Sequence, residues 1–143
     1  RGYLALVAGH FPKEPCTVRT ALVRNRGDGL RGSSQDEDED GAREAVTHFK
    51  LREHLGSRAS LVEARLETGR THQVRIHLSE KGFPILGDDL YAPPGVAQAS
   101  PRLALHAFRL GFKHPFSKAE MMFEAPLADD LEALSRRLLQ HSR

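Results

Sequence analysis

The feature that most constrains this fold is a pair of alternating segments lying close together in the chain. Ala45 to Glu53, AVTHFKLRE, and Ser60 to Glu67, SLVEARLE, each alternate apolar and polar residues, with Gly56 and Ser57 between them. A period of two puts the apolar side chains on one face of an extended strand, and a short polar connection returns the chain antiparallel. The two runs therefore predict a hairpin, with Leu61 or Val62, Ala64 and Leu66 facing inward. A second hairpin is expected from Arg102 to Lys113 and Glu120 to Ala125, reversed by His114-Pro115-Phe116-Ser117. Tyr3 to Gly9 and Cys16 to Val23 add strand-like runs, the first entered at once, so the chain is expected to begin mid-fold with upstream partner strands missing.

Elsewhere the period is helical. Over Thr71 to Lys81, Val74 and Leu78 stand four apart, Thr71 is an acceptable N-cap and Gly82 supplies a C-terminal stop. Over Ala128 to Leu139, Leu131, Leu134 and Leu138 share one face, with Asp129, Asp130 and Glu132 in the first turn and Arg136 and Arg137 later, which suits the helix dipole. Hairpins interspersed with isolated helices indicate an α+β fold, a mainly antiparallel or mixed sheet with a few helices. Pro93 to Pro101 reads as loop. Asn25 to Ala42 is rich in Gly, Ser and acids and nearly lacks apolar residues, so a flexible acidic insertion is expected at about 25–44.

A length of 143 residues suits one domain, and 28% charged with 39% hydrophobic residues is ordinary globular usage. Cys16, the only cysteine, cannot form an internal disulfide and reads as a buried structural thiol, so a cytoplasmic protein is expected, with no membrane segment. Net charge is +2, but Asp36 to Glu44 holds six acids and one Arg; the rest carries 20 basic and 13 acidic residues. That balance of +7 permits a polyanionic partner such as nucleic acid.

Several familiar chemistries lack support. G-x-G-x-x-G, P-loop, G-x-S-x-G and H-E-x-x-H patterns are all absent. His72 and His77, five apart, would point about 140° from each other around a helix, and no carboxylate or Cys completes a metal set. What stands out is Arg65, Arg70 and Arg75, with His72 and Gln73, around a Gly-bearing turn that opens a helix. Planar guanidinium donors near unpaired helix N–H groups make a phosphate or carboxylate receiver.

Four separated blocks carry a resemblance: Tyr3-Leu4-Ala5-Leu6-Val7-x-Gly9; Arg65 to Leu78, RLETGRTHQVRIHL; Gly82-x-Pro84-Ile85-x-Gly87-Asp88-x-x-Tyr91; and Arg102-Leu103-x-Leu105-His106-Ala107. In order and spacing they resemble the RluA-type RNA pseudouridine synthases across nearly the whole chain. The resemblance implies an isomerase without cofactor or metal that detaches uracil from its ribose in RNA, ribosomal or transfer, and rejoins it through C5. It implies that Tyr3 lies against the flipped base and is a candidate for removing a proton. Arg75, ending T-H-Q-x-R, would pair with the family's catalytic aspartate. Leu105 is a candidate for the apolar wall of the uracil pocket, and Arg70 and Arg102 for flanking phosphates.

The chain departs from the family in one respect. It holds no H-R-L-D block, which in the family carries the aspartate upstream of the tyrosine strand, and Asp88 is expected to fix the G-D-x-x-Y turn. Residues 1–143 are accordingly expected to be the C-terminal portion of one catalytic domain, inactive alone. The alternative is a non-catalytic RNA-binding module of the same fold.

Overall fold

The computed structural model describes residues 1–34 and 41–140, so the acidic core of the expected insertion, Asp36 to Asp40, lies outside the described residues. Among those described, β1 (Gly2–Ala8), β2 (Cys16–Val23), β3 (Gly32–Ser33), β4 (Arg43–Leu55), β5 (Ala59–Leu66), β6 (Leu105–Lys113) and β7 (Glu120–Glu124) form one sheet in the order β3-β2-β4-β5-β1-β6-β7. Every pairing is antiparallel. Three helices, α1 (Gln73–Lys81), α2 (Pro94–Ala97) and α3 (Asp129–Gln140), complete it. The fold is the expected α+β arrangement of antiparallel hairpins with a few helices.

Both expected hairpins form, as β4–β5 and β6–β7. The β4–β5 turn needs Gly56, whose φ of 71° is a left-handed conformation that other residues reach only with strain. The expectation about β1 is corrected: β5 and β6 flank it on both sides, so it is a central strand whose partners lie within the chain. The stretch expected to be a flexible acidic insertion contains β3, which pairs with Leu22 and Val23. Ahead of it the Asn25 side chain accepts the N–H groups of Gly27 and Gly29. Pro93 to Pro101 likewise contains α2, entered with Pro94 at its first position, where a missing N–H costs nothing. Cys16 is half-buried against the core rather than enclosed.

Register decides which side chains meet. Residues directly opposite in the ladder share a face, so Thr20, Ala45, Thr47, Phe49, Ala64, Tyr3 and Ala107 lie on one side of the sheet, with Ala5 and Leu105 further along it. Helix α1 packs on that side, since its His77 reaches both Thr20 and Thr47. The core joins Leu6, Phe11, Phe49, Val62, Val74, Leu78 and Ile85 with Leu131 and Leu134 of α3. The segment 84–86 is laced to the sheet: Ala8 N–H donates to Pro84 O, Leu86 N–H to Leu6 O, Leu6 N–H to Ala104 O, and Ala104 N–H to Leu86 O. That lacing sets where Asp88 emerges.

Candidate active site around Arg75

The turn between β5 and α1 is locked by a buried amide. Gln73 uses all of its hydrogen-bonding capacity: its Nε2 donates to Val46 O and Thr47 Oγ1, both at 2.9 Å. Its Oε1 accepts from Thr68 Oγ1 at 2.6 Å and from the Arg70 N–H at 3.0 Å. Thr68 Oγ1 in turn accepts the Val46 N–H. One turn on, His77 is fully buried between two hydroxyls, Nδ1 at 2.8 Å from Thr47 Oγ1 and Nε2 at 2.9 Å from Thr20 Oγ1. Burial holds this ring neutral, its pKa lowered to about 4 against the weaker opposing pull of Glu80. A neutral imidazole, one nitrogen donating and the other accepting, fits two hydroxyls that can each do either.

This lock corrects the expected helix start. Thr71 does not cap α1; His72 occupies the cap position in a left-handed conformation, φ 57°, and the helix begins at Gln73. The Gln73 side chain ties this reversal to both β4 and the Arg70 N–H. The far end is as expected: Gly82, at φ 95°, closes the helix, with its N–H on Ser79 O and the Phe83 N–H on Leu78 O.

With Gln73 and His77 held inside, Arg75 projects from the other side of the helix. Its Nε and Nη2 grip Asp88 Oδ2 and Oδ1 at 3.1 and 2.7 Å, a bidentate pair with Arg75's side chain 13% exposed and Asp88's 1%. Asp89 lies 3.6 Å from the same Nη2. Asp88 also fixes its own turn, as expected, by accepting the Leu90 and Tyr91 N–H groups at 3.1 Å. Burial pushes the Asp88 carboxyl up, but the Arg75 guanidinium and these N–H groups outweigh it and hold the carboxyl below its usual value. The hydrogen bond to Asp88 raises Arg75 correspondingly. The Tyr91 ring lies 5.3 Å from the Arg75 guanidinium, and its hydroxyl is 2.9 Å from His72 Nδ1. Burial, then the charges of Arg75 and Arg31, hold His72 below its usual pKa.

The other expected site residues fall into separate places. Tyr3 is half-buried opposite Ala64 and Ala107, beside a bulge where Gly2 leaves room for the Phe108 ring; a Cβ there would lie 2.9 Å from it. Tyr3 lines a cavity of about 270 Å³ with Ala107, Phe108 and Phe123. Leu105 lies opposite Ala5, on the Tyr3 side of the sheet, directly after the Ala104 that hydrogen-bonds Leu86 two residues before Asp88. Arg70 points elsewhere, its Nε donating to Glu44 O. Arg102 is drawn to α3, where Asp130 takes its Nε and Nη2 at 2.6 and 2.9 Å. The sheet thus brings Tyr3 and Leu105 onto the face that carries α1 and Arg75, while Arg70 and Arg102 stand apart from each other. Sequence reasoning missed the double duty of Asp88 and the His72–Tyr91 contact. The G-D-x-x-Y spacing was their only signal.

The site thus joins a sheltered arginine, gripped by Asp88 and 5.3 Å from the Tyr91 ring, to a sheet face that carries Tyr3 and Leu105. The sequence profile of the RNA pseudouridylate synthase family matches residues 1–80. A relative named as an uncharacterized RNA pseudouridine synthase of Chloroflexus aurantiacus is 41% identical over 136 residues, covering 95% of this chain and 41% of that protein. The ribosomal large subunit pseudouridine synthase D of Zymomonas mobilis is 38% identical over 150 residues, covering 100% of this chain and 46% of its own. Among solved structures, human RNA pseudouridylate synthase domain containing 1 superposes with a TM-score of 0.72 at 27% identity, covering 96% of this chain and 64% of that one. The chain belongs to the RNA pseudouridine synthase family, of RluA type. It spans less than half the length of these curated relatives.

Proposed function

We propose that the chain forms part of an enzyme that isomerises uridine to pseudouridine within structured RNA, ribosomal or transfer, in the cytoplasm. In that reaction the N1–C1′ bond breaks, a C5–C1′ bond forms, and the proton on C5 leaves while N1 gains one, so no cofactor or metal is needed. Tyr3 lies against the base and is the candidate to take the C5 proton. Leu105 forms part of the apolar wall. The aspartate of the H-R-L-D block comes from the part of the protein outside residues 1–143, and these residues alone are inactive.

The observation that carries this reading is the geometry of Arg75. A guanidinium has five N–H donors, and Asp88 engages the Nε–H and one on Nη2. The Nη1 edge has no partner among the described residues and can receive a second carboxylate, the catalytic aspartate, keeping it ionised for attack on the target nucleotide. Asp88 then fixes the orientation of a group whose free edge does the chemistry. The test is incubation of the natural full-length protein with uridine-containing RNA, followed by nucleoside mass spectrometry. Pseudouridine is expected from the full-length protein and none from its Arg75→Ala variant or from residues 1–143 alone. Turnover by the Arg75→Ala variant near that of the parent defeats the assignment.

A further inference from the structure

Where the end of β2, the start of β4 and the turn entering α1 meet, a cavity of about 720 Å³ opens, lined by Arg24, Arg31, Arg43 and Arg70 together with Gly69 and Thr71. None of these four arginines has a carboxylate partner among the described residues. Arg70 donates its Nε to Glu44 O and Arg43 one Nη1 hydrogen to Ala42 O, both neutral carbonyls. Most other arginines are spoken for: Arg19 pairs with Glu44, Arg26 with Asp28, Arg52 with Glu63, Arg75 with Asp88, Arg102 with Asp130, Arg109 with Glu124 and Arg136 with Glu132. Four arginines from three chain segments line one cavity with like charge, an arrangement that favours anions among them.

The basin adjoins the candidate active site. Arg70 and Thr71 lead directly into His72, and the charge of Arg31 reaches both His72 and Tyr91. Arg26, from the same β2–β3 loop, lies 6.0 Å from the Tyr91 ring. A strand of nucleic acid whose base is held beside Arg75 would therefore carry its next phosphates toward these arginines.

We infer that Arg24, Arg31, Arg43 and Arg70 form a receptor for consecutive phosphodiester groups of the RNA on one side of the target uridine, an inference that rests on the function proposed above. Planar guanidinium donors suit phosphate oxygens, and the β2–β3 loop is the element that supplies half of them. The receptor reads backbone rather than base, so it contributes affinity and register instead of sequence choice.

The test measures binding of a fluorescein-labelled, uridine-containing RNA stem–loop to the natural full-length protein across a salt series. Arg24→Gln/Arg31→Gln is compared with Arg58→Gln/Arg137→Gln, which removes equal charge from exposed positions outside the basin. Loss of two phosphate contacts should flatten the slope of log K against log salt by about 1.5 and weaken binding by on the order of tenfold or more near physiological salt. The control pair should do much less, and Arg24→Lys/Arg31→Lys should restore the slope while only partly restoring affinity. KM should rise in the glutamine variant with kcat at saturating RNA retained. An unchanged slope, or equal losses in both pairs, overturns the receptor. If the parent protein binds with the expected slopes yet makes no pseudouridine, the receptor stands and the reaction fails. If pseudouridine forms and the two glutamine pairs behave alike, the reaction stands and the receptor fails.

Discussion

Arg75 of α1 and Asp88 of the following turn grip each other through two hydrogen bonds, 3.1 and 2.7 Å long, although they stand thirteen positions apart with the close of a helix between them. Because segment 84–86 is laced to Leu6, Ala8 and Ala104, Asp88 carries the position of the central strand to the arginine. Asp88→Asn keeps an acceptor for the Leu90 and Tyr91 N–H groups and removes the charge that fixes Arg75. Breaking so sheltered a pair should cost roughly 3 kcal/mol of stability and lower kcat more than it raises KM. Urea titration and steady-state kinetics on the full-length protein check both. Wild-type kcat in a destabilised variant would make the pair purely structural.

The same carboxyl gives the protein an acid limit. Its folded pKa is held below the ordinary 3.8, so its contribution is complete above that value and lost as pH falls through it toward the folded one. The melting temperature of Asp88→Asn should therefore fall less steeply than that of the parent below about pH 4.

His77 predicts a second, earlier decline. Its pKa falls from 6.5 to about 4 on folding, so the unfolded chain takes up the proton first. The contribution is complete above 6.5 and fades as pH drops toward 4, by roughly 3 kcal/mol in all, since each unit corresponds to about 1.4 kcal/mol. Stability of His77→Gln measured from pH 7 to 4 should be flatter than that of the parent; parallel curves would assign the decline to other groups.

Gln73→Ala should be more harmful than its size suggests. It strands the Thr68 hydroxyl proton and the Arg70 N–H, and takes from Val46 O one of its two donors, the other being the Glu67 N–H. A loss of about 3 kcal/mol is expected, with faster amide exchange at Arg70 reporting the loosened turn.

Gly87 stands at φ 80°, and a Cβ there would fall 2.1 Å from Arg102 O, a backbone atom that cannot swing away. Gly87→Ala should accordingly cost about 3 kcal/mol or more and displace Asp88 with it, so that activity and stability fall together. Denaturant midpoints and turnover on the same preparation measure this.

Much of the scaffold was legible because it rests on local pattern. The alternation of Ala45 to Glu53 and of Ser60 to Glu67, the Gly82 stop and the acid-led leucine face of α3 all depend on neighbours in sequence. What was illegible depends on long-range closure. The left-handed His72 stands just before a Gln73 whose amide reaches back to β4, a contact that no local rule of caps anticipates. The partners on both sides of β1 depend on strands far along the chain. Asp88 reads as a turn residue because its N–H contacts are local, whereas its grip on Arg75 requires the lacing of 84–86 to β1. Arg24, Arg31 and Arg43 lie in or beside a stretch whose poverty in apolar residues reads as loop, and only the fold gathers them beside Arg70.

The division of labour within the Glu67 to Leu78 stretch has an evolutionary corollary. Thr68, Gln73 and His77 serve the architecture, and Arg75 is the helix residue proposed to face the chemistry. A descendant that abandoned catalysis would still be under selection to keep the first three, because losing them loosens the fold, and would keep position 75 only together with the buried Asp88 it pairs with. Surviving motif letters in a distant relative therefore vouch for inheritance of the shape rather than of an activity.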